Sequence, residues 1–159
     1  MNIFLLDWIP RVAAEYHCDK HVVKMILETA QLLYTAHRCC GSDVPENAYK
    51  LTHKNHPCAK WVRESLTNYL WLASLGWWLC KEYTFRYGKT HKTESHIVWL
   101  LTNHPALPFR EMTEPALAMP DIYKQANPIE AYRTFYRENK QKERGIVTYK
   151  GRTIPSFLE

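Results

Sequence analysis

The 159-residue chain holds no run of 18 apolar residues, no C-x-x-C pair, no H-E-x-x-H run, no internal repeat and no low-complexity tract. Each absence closes a class. A bilayer-crossing helix needs about 20 apolar residues, so no membrane span is expected. The opening MNIFLLDW has neither a basic region nor the long apolar stretch of a secretory signal, which points to an intracellular, cytoplasmic protein. Cys18, Cys39, Cys40, Cys58 and Cys80 are odd in number and lack framework spacing, which predicts free thiols in a reducing compartment. With no zincin motif and no clustered carboxylates, neither a metal nor another cofactor is expected.

What is present is 46% hydrophobic and 13% aromatic residues, with a net charge of +5 before its eight histidines are counted. A chain of this length buries about 70% of its unfolded surface, enough for one core. Basic and aromatic residues intermixed suit an anionic partner such as nucleic acid. The plainer alternative is that the aromatics are core. No obligatory protein partner is evident.

Periodicity and punctuation predict an all-α, compact single-domain bundle of five or six helices. Its helical core spans residues 1–103, an irregular segment with five prolines spans 104–128, and a last helix with a basic tail spans 128–159. Pro10 opens a short helix to Tyr16, with Asp7 as a candidate cap. Asp19 is expected to cap a long helix to about residue 38, and Asn55 to cap one from Pro57 to about Glu64. Residues 66–87 are apolar nearly all round and should form the central helix, ended by Gly88. A helical period recurs over residues 92–101. Asn127-Pro128-Ile129-Glu130 reads as the cap and first turn of a helix to about residue 142, followed by a short hairpin or an extended arm.

The stretch YHCDKHVVKMILETAQ, residues 16–31, sets reactive side chains on a helix. His17, His21, Lys24, Glu28 and Gln31 fall at helical spacing along one side, with Val23, Ile26, Leu27, Ala30, Leu33 and Tyr34 as the apolar stripe opposite. Glu28, one turn from Lys24, is either an ordinary i,i+4 pair or a half-buried acid with a tunable pKa. His17 and His21 are four apart, and His53 and His56 three apart, so two imidazole pairs could instead hold a divalent ion in a nuclease or phosphoesterase. His53, Lys54, Asn55 and His56 precede a helix N-terminus and make a candidate phosphate seat, alongside Lys20 and His17. Arg86, Lys89, His91 and Lys92 lie among aromatics at a helix end and could track a phosphate backbone, and Lys140, Lys142, Arg144, Lys150 and Arg152 extend that surface. A non-catalytic nucleic-acid-binding module remains open on these residues alone.

Several features fall together in order. The start M-N-I-F-L-L resembles the M-R-L-W-S-L start of pyrimidine-dimer DNA glycosylases of the endonuclease V type. The helix carrying Glu28 and Ala30-Gln31-Leu32-Leu33 looks like that family's catalytic-glutamate helix, with His21 seven residues before Glu28 as in a phage member. Asn55-His56-Pro57 matches an N-H-P of bacterial relatives, and Glu82-Tyr83 through Arg86-Tyr87-Gly88 is similar to their E-A-x-x-R-G-Y run. The likeness covers roughly residues 1–90 and implies a compact all-α fold. It implies a DNA N-glycosylase for damaged or modified bases, with abasic-site lyase activity through an imine. The family's nucleophile is the chain's α-amine, here that of Met1, with Lys24 as the alternative; Glu28 assists sugar-ring opening and His21 stands nearby. The phage member exposes a threonine amine after losing methionine, whereas Asn2 here is too large for that removal. An α-amine, with pKa about 8, is partly neutral at pH 7.

Overall fold

Local punctuation decides where the helices begin and end. The computed structural model describes residues 1–159 and contains six α-helices and no strand. α1 (Pro10–Tyr16) starts on its proline, while Asp7 Oδ1 accepts the Ile9 N–H just before it. α2 (Asp19–Cys39) begins after Cys18. Asp19 does not cap it: its carboxylate turns outward to the Lys150 N–H, the Thr148 hydroxyl and Arg86. α3 (Pro57–Glu64) is capped by the His56 ring, whose Nδ1 accepts the Cys58 N–H, and not by Asn55. Ser65 caps α4 (Leu66–Tyr87), and Gly88, at φ 69°, closes it in the left-handed conformation that glycine adopts without strain.

α4 is the central helix, packing against α1, α2, α3 and α5 (Glu94–Thr102). Gly76 makes the closest approach: a Cβ there would lie 3.0 Å from both Ile97 Cδ1 and Thr29 Cγ2. α2 is more enclosed than its polar stripe suggests. His21, Glu28 and Thr29 are buried with Val22, Met25 and Ile26, while Val23 and Leu27 face out. The extended first residues and the last helical segment cover the face that carries His21 and Glu28, so two polar groups are drawn inside.

Residues 103–127 are irregular apart from a 3₁₀ turn, Asp121–Tyr123, yet they are anchored. Trp61 Nε1 donates to the Thr113 carbonyl, the Leu66 N–H to the Pro108 carbonyl, and Asn2 Nδ2 to the Ala118 carbonyl. Asn127 Oδ1 accepts the Ile129 and Glu130 N–H groups to start α6 (Pro128–Phe135). That helix does not continue as α but widens into a π-helical segment, Tyr136–Glu143. The remaining tail is an arm strapped to the start of α2, where the Asp19 N–H donates to the Thr148 carbonyl. All five cysteines are free thiols, and no helix is long and apolar enough to cross a membrane.

Candidate active site

The buried opening of the chain brings its first residue to α2. Ile3, Phe4, Leu5 and Leu6 are core residues, and Asn2 is pinned by the Ala118 carbonyl and the Tyr132 hydroxyl. The Met1 amine therefore ends 3.3 Å from Glu28 Oε1. Glu28 is only 8% exposed. Its Oε2 is buried without a hydrogen bond, and Lys24 Nζ, at 3.7 Å, lies beyond good hydrogen-bond length. Lys24 itself is 71% exposed along its side chain.

These groups line a hollow of about 180 Å³ with Phe4, His21, Lys140 and Arg144. A second hollow of about 350 Å³ adjoins it, sharing His21, Lys24 and Arg144 and adding Lys20. Four cationic side chains and the Met1 amine thus stand around one carboxylate, Glu28. Such a cleft draws an anionic strand and gives its single acid a distinct task.

His21 forms a wall of the hollow. Its ring stacks on Phe4 at 4.4 Å, and its Nδ1 meets the Tyr136 hydroxyl at 2.6 Å. Burial, then the charges of His17, Lys140, Lys24 and Arg144, lowers its pKa to about 3, so it is neutral at physiological pH. His56, at the start of α3, feels the Met1 ammonium; burial first and that charge second lower its pKa. With Nδ1 accepting the cap bond, its proton sits on Nε2. His53 and Lys54 are exposed beside it, and His53 holds φ +49°, a conformation that costs a non-glycine residue energy and clusters at functional positions.

Not every residue expected at a nucleic-acid interface is free to serve there. His17 is fully buried, with Nδ1 at 2.6 Å from the Ala13 carbonyl, and burial lowers its pKa to about 4. The Arg86 side chain has no exposed surface. It is spent on Glu82 at 2.7 Å, Asp19 at 3.1 Å and the carbonyls of His17 and Glu15. An R-x-x-x pattern at a helix end reads the same whether the guanidinium faces a phosphate or an internal acid, and here Glu82, one turn back, claims it. Lys20, Lys89 and Lys92 are exposed, while His91 uses both ring nitrogens, on the Val23 carbonyl and the Thr93 N–H. The two histidine pairs do not converge: no group of three His, Cys, Asp or Glu is arranged to hold an ion. Lys140 and Arg144 were expected to extend the phosphate-tracking surface at the end of α4, not to line the hollow beside Glu28. Lys140 follows Tyr136, which itself bonds to His21, by four residues and Arg144 by eight, and that spacing is the signal that places them on the cleft wall.

Residues 1–95 match the family described as pyrimidine dimer DNA glycosylase, which is more than half of the chain. The chain belongs to this family. DNA is thereby its substrate class, and DNA glycosylase its enzyme class. The match takes in Met1, Lys24 and Glu28 but stops before α6 and the π-helical segment, so Lys140 and Arg144 come from outside it. No curated protein and no solved structure matches the chain.

Proposed function

We propose that the chain excises pyrimidine dimers from DNA with the Met1 amine as nucleophile and Glu28 as its acid–base partner, and then cleaves the resulting abasic site. One observation carries this: the amine sits 3.3 Å from a buried carboxylate on the floor of a cationic cleft. The amine must shed a proton to attack. Glu28 Oε1 is within reach to take it, and a bound strand that excludes water favours the neutral pair over the ion pair. The amine lone pair then attacks C1′, and the glycosidic bond breaks with its electrons leaving on the base. Protonated Glu28 returns the proton to the ring oxygen, the sugar opens, and an imine remains. Loss of a C2′ proton and departure of the 3′ oxygen with its bonding pair cut the strand, and water releases the amine.

Lys24 serves differently. It is mostly exposed, and it stands at the mouth where a flanking phosphate would lie. Lys20, Arg144, His53 and Lys54 extend the phosphate track on either side of the hollow. Reaching C1′ requires a nucleotide to leave the stack, at a cost of a few kcal/mol that a distorted lesion reduces.

The test uses thymine-dimer, abasic and undamaged duplex oligonucleotides, with and without borohydride. Cleavage confined to dimer and abasic strands, with a borohydride-stable protein–DNA adduct, is the expected result. Glu28→Gln should bind as tightly while turnover falls by about 100-fold or more. Full activity in that variant, or absence of any adduct, would refute the scheme.

A further inference from the structure

Lys140 is the group in the cleft that the scheme above leaves without a task. It lies on the π-helical segment, a widened turn of the kind that recurs at functional sites, and its residue is buried. Its ammonium sits 4.5 Å from the Phe135 ring centroid and 6.0 Å from that of Phe4. It has neither a hydrogen bond nor a carboxylate partner, unlike the Met1 amine, which Glu28 holds at 3.3 Å. The groups that bear on it are two cations, Arg144 just past the end of its own segment and Lys24 from α2, opposed more weakly by the Cys18 thiol. Burial first, then those two charges, lowers its pKa. The Phe135 face attracts a cation but does not replace the lost water. A lysine among rings and beside like charges, with the cleft's one acid, Glu28, held by the Met1 amine instead, is the setting in which an amine is released as a nucleophile.

We infer that Lys140 is a second imine-forming amine of this cleft, acting on the ring-opened aldehyde of an abasic site. The inference rests on the reading that C1′ enters the hollow shared by Met1 and Glu28. The uncharged ε-amine adds through its lone pair to the C1′ aldehyde carbon. The carbonyl oxygen leaves as water after gaining two protons, both from the nitrogen overall, and a C=N bond remains. The 3′ elimination then proceeds as for the Met1 imine. A lysine that only held phosphate would need a hydrated approach and would be replaceable by arginine, which keeps the charge but forms no imine.

The experiment incubates the full chain with an abasic duplex and borohydride, which reduces any imine to a stable secondary amine. The adduct is then mapped by proteolysis and mass spectrometry. The expected result is an adduct on Lys140 as well as on Met1, with the Lys140 share lost in Lys140→Arg while that variant still binds DNA. Because the mapping is done on the unaltered chain, it holds even if the variant folds poorly. Adduct on Met1 alone overturns the role of Lys140 and leaves the proposed function standing. No adduct at any residue overturns both.

Discussion

Two histidines, His17 at the end of α1 and His21 on α2, are kept neutral by the fold, and that fixes how stability must respond to acid. His17 and His21 have pKa values lowered from 6.5 to about 4 and about 3, in each case first by burial. Between those values and 6.5 the unfolded chain binds more protons than the folded one. The stabilisation is therefore complete above about pH 6.5 and is lost as pH falls toward 4 for His17 and toward 3 for His21. Each histidine should cost about 1.4 kcal/mol per pH unit below pH 6. Urea unfolding at pH 7 and pH 5 measures this, with a drop of about 2–4 kcal/mol expected for the pair. Equal stability at both pH values would mean that the imidazoles are charged or exposed in the fold. His21 is consequently no candidate for a general acid near neutrality. It holds Phe4, and through Phe4 the first residues, against α2. The other residue-scale prediction, retained binding with lost turnover in Glu28→Gln, separates chemistry from docking at the same site.

At the scale of elements, punctuation and periodicity located the helices, but not which of their faces would be covered. Pro10, Pro57, Gly88 and the Asn127-Pro128 pair act locally, so the boundaries they predict are found in the fold. Asp19 and Asn55 failed as caps because tertiary partners outbid the local bond: Asp19 gains the tail's N–H and hydroxyl donors, and His56 reaches Cys58 first. The polar stripe of α2 placed Glu28 and Lys24 correctly on one side, yet it could not show that the chain's opening folds over that side. That depends on contacts more than 100 residues apart, such as Asn2 with Ala118 and His21 with Tyr136. Gly76 was equally silent in sequence. There α2, α4 and α5 meet, and Gly76→Ala tests how tightly. Alanine gains about 1 kcal/mol in a helix interior, but overpacking against Ile97 and Thr29 costs about 1–3 kcal/mol. A net loss of about 1 kcal/mol, or about 2–4 °C in Tm, is expected. Ile97→Val in the same chain, which removes the clashing Cδ1, should restore part of it. A Gly76→Ala chain more stable than the parent would show that the helices have room to part.

For the whole molecule, the distribution of charge matters more than its sum. The net +5 is not spread evenly: Lys20, Lys24, Lys140 and Arg144 surround the cleft, while Arg86 and Arg152 are consumed by Glu82. Phosphate contacts release counterions, so each one steepens the fall of log affinity with log salt by about 0.9. Lys20→Gln and Arg144→Gln should each flatten that slope by about 0.9 and weaken damaged and intact duplexes alike, since a phosphate contact reads no base. Arg86→Met is the control. It should leave the slope unchanged but destabilise the fold by about 3 kcal/mol, because it strips a partner from buried Glu82 and from Asp19. Fluorescence anisotropy across a salt series, paired with urea unfolding, reads both quantities in the same variants. A flattened slope in Arg86→Met with none in Lys20→Gln would move the phosphate track away from the Met1–Glu28 cleft, toward the α4 end with Lys89 and Lys92. The amine would then face no strand, and the glycosylase chemistry would need another site.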